Sequence, residues 1–476
     1  MTFTTLEFAY FFAAVFIVYH LLPQKYKWML LVPASAYFYA SCGLPAFFML
    51  CAMSLLAWGA AVLIEKSGKK SVLILSYVLL TLFLMGLMRL PALSFIMPLG
   101  FSFYALQCMS YVTEVYRESI KPLKNPLKVY IYTAYFPHVL QGPFEDTESF
   151  LEEIFAGKPF SYEKAREGAG RFGIGLLKKL VLADRIGYIV DPVFSDVSGY
   201  HGFTVVFVML LYSVQLYADF SGYMDMAVGA SKMLNIGIRE NFNVPFASKS
   251  MAEFWRRWHM SLGLWFKSYV FYPALRSKPL SAIRTHFKKK KNRYLMNTLP
   301  TCLALTINWT LIGLWHGFDL NYLCYDWFCG AVIIISEFLK PLYDKCNDKA
   351  GSFSKSGIAD ALRICRTFIL TAFSFMLFRP ATISDSFTMI GNIFSAADIH
   401  ALSMFMYNNV YDIFLIALPA LIVLINDICL YRGEDLVKKS LSLPMPLRWA
   451  AYLCVALIIY IAKGDRSAAG FAYYIF

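Results

Sequence analysis

The chain is 476 residues long, 58% hydrophobic and only 16% charged, with 17% aromatics and a formal net charge of +13. A soluble chain carries about 45–50% apolar and about 25% charged residues, so this one lacks the polar side chains to cover two or three soluble domains. That excludes a soluble enzyme, a disordered chain and a nucleic-acid binder, and points to an all-α polytopic membrane protein whose apolar excess faces lipid.

A span needs about 20 mostly apolar residues. In chain order the candidate runs are 8–22, 28–42, 47–64, 72–90 and 94–115, then, after a mixed region, 203–234, 296–315, 322–339, 364–378, 412–430 and 449–462. Several are shorter than a clean span, and some contain Pro or Gly. Glu7 stands where a signal peptide would be basic, so the first run is expected to remain as a span. Lys25 and Lys27 follow the first run, Lys66, Lys69 and Lys70 the third, and Arg117, Lys121, Lys124 and Lys128 the fifth. The links at 41–45 and 89–93 carry only Arg89. Lysine and arginine collect on the cytoplasmic side, which puts the N-terminus outside. Arg432, Lys438, Lys439 and Arg448 precede the last run and put the C-terminus outside as well. The positive charge is thus expected to orient the chain.

The polar segments between runs are short, so no separate catalytic domain is expected. The Lys288–Lys291 run within 276–293 reads as a cytoplasmic loop near anionic lipid. Segment 157–185 mixes Lys and Arg with Phe, Leu and Ile, as an interfacial amphipathic helix would. Most of the ten cysteines lie in apolar runs and none forms a Cys-x-x-Cys pair, which favours packing over a disulfide or zinc site. No internal repeat is visible, which counts against an inverted-repeat transporter.

Ionisable groups at membrane depth are costly and mark functional sites. Three stretches carry them. Gln215-Leu-Tyr217-Ala-Asp219-Phe220-Ser221-Gly222-Tyr223-Met224-Asp225 places two aspartates inside an apolar run, and both should face the protein interior. Asp219 could pair with an arginine, orient a histidine or make a structural hydrogen bond. In Phe254-Trp255-Arg256-Arg257-Trp258-His259-Met260-Ser261-Leu262-Gly263-Leu264-Trp265-Phe266, a continuous helix would gather the aromatics on one face and the cations on the other, at the interface. The tryptophans then form an anchoring belt, or Trp255, Trp258, Arg256 and Arg257 meet an anionic thioester donor. In Asn308-Trp-Thr-Leu-Ile-Gly-Leu-Trp315-His316-Gly317-Phe318-Asp319, His316 ends an apolar run. A histidine there serves as a base that activates a hydroxyl, or is held by a carbonyl for packing.

These stretches, in this order, resemble the membrane-bound O-acyltransferase (MBOAT) family, and within it the bacterial branch that O-acylates cell-surface polymers. The resembling motifs run from Pro98-Leu-Gly-Phe-Ser-Phe-Tyr104 and Tyr135-Phe-Pro-His-Val-Leu-Gln-Gly142-Pro143 through Glu240-Asn-Phe-Asn-Val-Pro-Phe246 to Gly313-Leu-Trp-His316-Gly. The resemblance implies one MBOAT domain over 1–476, a bundle of tilted and interfacial helices around a transmembrane tunnel. It also implies that His316 is the catalytic histidine, His259 the second histidine and Asp219 an acidic position tied to activity. No bound cofactor or metal is implied. The implied acyl donor is a cytoplasmic thioester, acetyl-CoA or an acyl carrier protein, used as co-substrate.

The last residues, Phe471-Ala-Tyr473-Tyr474-Ile-Phe476, resemble the aromatic C-terminal motif of alginate-type members. The implied role of segment 464–476 is extracytoplasmic, with Tyr473 or Tyr474 as an acyl-accepting phenol; Tyr474 stands where phenylalanine is usual, and an interfacial anchor is the alternative. A further departure is Tyr272-Pro-Ala-Leu-Arg-Ser-Lys, where a Gly-Gly-rich turn is usual, which leaves the acceptor open. The expectation is a multi-pass enzyme of the bacterial plasma membrane that moves an acyl group, acetyl in the first instance, to an exported polysaccharide, with an extracytoplasmic SGNH-type transferase or esterase as partner. D-alanyl transfer to teichoic acid and, from another class, a proton-coupled transporter are the alternatives.

Overall fold

Each apolar run in the sequence carries a helix. The computed structural model describes residues 1–88, 99–395 and 399–463, whose regular structure is all helical. It begins with α1 (Leu6–Leu21), α2 (Lys27–Ala40), α3 (Leu44–Lys66), α4 (Lys70–Met88) and α5 (Phe101–Tyr116), followed by the short α6 (Pro126–Ala134) and α7 (Thr147–Phe155). Next, α8 (Tyr162–Leu176) continues through a π-helical stretch, Leu177–Ala183, into α9 (Asp184–Ser195), and α10 (Gly202–Met233) follows. Short helices α11 (Met251–Arg257), α12 (Met260–Phe266), α13 (Tyr272–Leu275) and α14 (Lys278–Lys289) lead to a hairpin of α15 (Arg293–His316) and α16 (Leu320–Phe338). The remainder comprises α17 (Lys340–Ala350), α18 (Gly357–Phe378), α19 (Ile383–Ile393), α20 (Ile399–Asn408), α21 (Val410–Tyr431), α22 (Leu436–Leu441) and α23 (Met445–Ala462).

Among the described residues, seven helices are long and apolar enough to cross a membrane: α3, α4, α10, α15, α18, α21 and α23. An eighth would join α16 to the segment after it, bent by 64°. Pro341, in the first turn of α17, lacks an N–H and crowds the carbonyl four residues back, so the helix breaks there. The 16 residues of α1 and the 14 of α2 cover only about 24 and 21 Å, short of a hydrocarbon core of about 30 Å.

Segment 157–185 is not an interfacial helix. α8 packs backbone to backbone against α10, because glycines face each other: a Cβ on Gly175 would lie 2.6 Å from the Gly222 carbonyl oxygen, and one on Gly168 equally close to that of Gly229. The close approach buries Lys178 and Lys179, which are 4% and 3% exposed. They are neutralised by α10. Lys178 Nζ is 2.8 Å from Asp225 Oδ2, and Arg171 Nε is 2.9 Å from Oδ1 of the same carboxylate. Lys179 Nζ lies 2.6 Å from Asp219 Oδ1 and 3.0 Å from Asp184 Oδ1. A mixed basic–apolar composition has two solutions, water on one face or buried counter-charges, and here the second holds.

Candidate active site

His316 is the last residue of α15, and the chain turns within three residues into α16. The hairpin brings Asp326, almost two turns along α16, back onto the histidine. Asp326 Oδ2 is 2.7 Å from His316 Nδ1, with the two residues 0% and 3% exposed. A carboxylate can only accept, so Nδ1 donates and the ring presents Nε2 as its basic nitrogen. The rings of Tyr325, 5.9 Å away, and Phe378, 5.6 Å away, wall the imidazole in. This pair is oriented as a general base requires.

His259 lies between α11 and α12 with φ 45°, in the left-handed region that a Cβ makes costly, roughly 1–3 kcal/mol. Its Nδ1 is 3.2 Å from Asn241 Oδ1, which also accepts from Ser261 N at 3.0 Å and Ser261 Oγ at 2.9 Å. That oxygen is therefore the acceptor, His259 Nδ1 donates, and Nε2 is again the basic nitrogen. Burial, and in second place the charge of nearby His316, hold the His259 pKa well below the ordinary histidine value, so the ring is neutral. Its ring centroid stands 6.4 Å from that of Trp315, the neighbour of His316, and meets Phe220 edge-on at 4.8 Å. The structure thus gathers both histidines into one buried region.

Asp219 belongs elsewhere. It is the neighbour of Phe220 on α10, and adjacent helical positions diverge by about 100°. With Phe220 turned to His259, Asp219 is turned to Lys179 and serves the buried charge cluster described above. The carboxylate hydrogen-bonded to His316 is Asp326, absent from the sequence-based candidates although it sits inside an apolar run, the signal that singled out Asp219. Asn241 and Ser261, which fix His259, carry no comparable signal.

The tryptophan–arginine block is not one interfacial helix with an aromatic belt. It breaks at His259 into two short helices, and its aromatics turn inward. Trp258 is fully buried between Phe242 and Phe375, each with its ring 5.0 Å away. Trp255 packs 5.0 Å from Trp309 on α15. Arg257 is bound at 2.9 Å by Glu253 and at 3.2 Å by the Asn243 carbonyl, whereas Arg256 is exposed. Of the four donor-binding candidates, Arg256 is the exposed one. Replacing Trp258 with alanine is expected to cost about 3–5 kcal/mol of stability and to leave the donor KM unchanged, checked by thermal unfolding in detergent beside donor titration. Tyr473, Tyr474 and the rest of 464–476 lie outside the described residues, as does Pro98.

Residues 35–379 match the model of the membrane-bound O-acyltransferase family, MBOAT, a stretch that contains both histidines and Asp326. The chain is 30% identical over 409 residues to a probable alginate O-acetylase, AlgI, of Pseudomonas fluorescens, covering 83% of this chain and 76% of that protein. It is 28% identical over 290 residues to the teichoic acid D-alanyltransferase of Bacillus subtilis, 59% of this chain and 68% of the relative. To the peptidoglycan O-acetyltransferase of Helicobacter pylori it is 32% identical over 208 residues, 38% and 39% of the two chains.

Proposed function

The chain belongs to the membrane-bound O-acyltransferase family, and from that premise we propose that this multi-pass O-acyltransferase moves an acetyl group from a thioester donor on the cytoplasmic side to a hydroxyl of an exported cell-surface polysaccharide. The observation that carries the reading is the buried His316–Asp326 pair, 2.7 Å apart, inside the stretch that matches the family. His316 Nε2 takes the hydroxyl proton as the oxygen bonds to the acyl carbon. The carbon–sulfur bond then breaks, and the proton passes to the departing thiolate. Asp326 holds the ring and stabilises the imidazolium while it exists. His259, with its own basic Nε2 and a fixed tautomer, stands beside the path of the acyl group.

Three further parts of the reading follow from sequence. Acetyl-CoA or an acyl carrier protein is the donor, with no metal or prosthetic group taking part. Positive loops on the cytoplasmic side of a bacterial plasma membrane leave both termini outside, so Tyr473 or Tyr474 is positioned to relay the acyl group to a separate SGNH-type transferase or esterase. The similarity to a D-alanyltransferase supports a second reading, D-alanyl transfer to teichoic acid.

Mass spectrometry of surface polysaccharide from cells with and without the gene tests both, since the mass lost per sugar names acyl group and acceptor together. Replacing His316 with alanine is expected to abolish acylation with normal expression, and undiminished acylation in that variant would sink the assignment.

A further inference from the structure

Between α6 and α7 the chain makes a tight turn in which the Gly142 N–H meets the His138 carbonyl at 2.7 Å. A Cβ on Gly142 would fall 2.3 Å from His138 Cα, so only glycine closes the turn. It pins the preceding residue, Gln141, which is 6% exposed. Neither the Oε1 nor the Nε2 of Gln141 has a hydrogen-bond partner among the described residues. Gln141 is among the residues lining a cavity of about 20 Å³, whose other walls include Ser102, Phe103, Phe220, His259 and Trp315. A buried carboxamide left unpaired lowers stability, and the surrounding aromatics offer it nothing. A cavity of this size holds about one water molecule, which is also the space of one carbonyl oxygen.

We propose that the Gln141 carboxamide is a catalytic residue of the acyl transfer, donating its Nε2–H to the carbonyl oxygen of the thioester donor in the cavity beside His259. This assignment rests on the acyltransferase reading and adds to it the group that meets the developing negative charge. As the acceptor oxygen bonds to the acyl carbon, the carbonyl electron pair moves onto oxygen, and the amide N–H meets that charge. When the tetrahedral adduct collapses, the pair returns, the carbon–sulfur bond breaks, and the thiolate leaves with the proton that His316 removed from the hydroxyl. A donor fixed in place, aimed at charge that exists only in the adduct, acts on the rate and little on ground-state binding.

The test uses a strain lacking the gene, complemented with wild-type, Gln141→Leu or Gln141→Met chain. Mass spectrometry follows how fast O-acyl groups accumulate on surface polysaccharide after induction. The expected result is a fall of about a hundredfold for both variants. The purified full-length variants should unfold in detergent at or above the wild-type temperature, because a similarly sized apolar side chain removes an unpaired amide. That combination separates a catalytic group from a structural one, whose loss lowers activity and stability together. Acylation at the wild-type rate, or a drop in unfolding temperature accompanying lost activity in both variants, overturns the assignment. A wild-type gene that restores no acylation instead sinks the acyltransferase reading itself, and this assignment with it.

Discussion

Replacing Asp326 with asparagine is expected to lower the acylation rate by about 10²–10⁴-fold while the chain folds and inserts normally. The substitution preserves shape and a hydrogen-bonding group but removes the negative charge behind the imidazole. Two outcomes follow, and both disable the base. If the amide oxygen faces His316, Nδ1 still donates, but the imidazolium formed during proton transfer loses its counter-charge. If the amide nitrogen faces it, Nδ1 must accept, the proton moves to Nε2, and the nitrogen meant to take the hydroxyl proton already carries one. Because Asp326 is wholly buried and its Oδ2 lies 2.7 Å from the ring, water is poorly placed to restore either function. Donor KM close to wild type with kcat depressed is the expected pattern. Wild-type kcat in Asp326→Asn would leave His316 oriented by packing alone.

The second large effect is structural. Gly175→Val is expected to prevent accumulation of folded protein, read as loss of the monodisperse peak in detergent and of membrane-inserted chain. The valine Cβ would sit 2.6 Å from the Gly222 carbonyl oxygen and 2.8 Å from the Met226 backbone nitrogen, and both are helix backbone that cannot rotate aside. The helices would have to separate. Overpacking alone costs about 1–3 kcal/mol. Separation also pulls Lys178 and Lys179 from Asp225 and Asp219, and a broken buried ion pair costs about 3–5 kcal/mol. Gly173, with no neighbour within 4 Å of its Cβ position, is the control: Gly173→Ala should fold as wild type. A Gly175→Val chain that melts normally would show that the two helices do not depend on that contact.

The helices were legible because lipid leaves the sequence little choice: eleven apolar runs gave eleven helices, with ends within four residues wherever both are described, except that α18 starts seven residues before its run. What failed depended on partners distant in sequence. Segment 157–185 looks interfacial until the aspartates of α10 are placed against it. The tryptophan block looks like one amphipathic helix because periodicity assumes a continuous backbone. The break at His259 is held by Asn241, 18 residues earlier, through three hydrogen bonds to a single oxygen. His316 and Asp219 stood out as polar residues at depth, and the same rule applied evenly would have flagged Asp326. What no rule of that kind could supply is which aspartate faces which base, since this depends on a turn of three residues and on the rotation of one helix.

That turn has an evolutionary consequence. Base and orienting acid ride on a single hairpin, so the hydrogen bond between them is set largely by that hairpin. The second histidine is set by the 241–261 segment instead. Helices that shape access for donor and acceptor can therefore drift, tilt or be resurfaced without detuning the proton-transfer pair. A fold wired in this way can exchange one envelope polymer for another while keeping its chemistry intact.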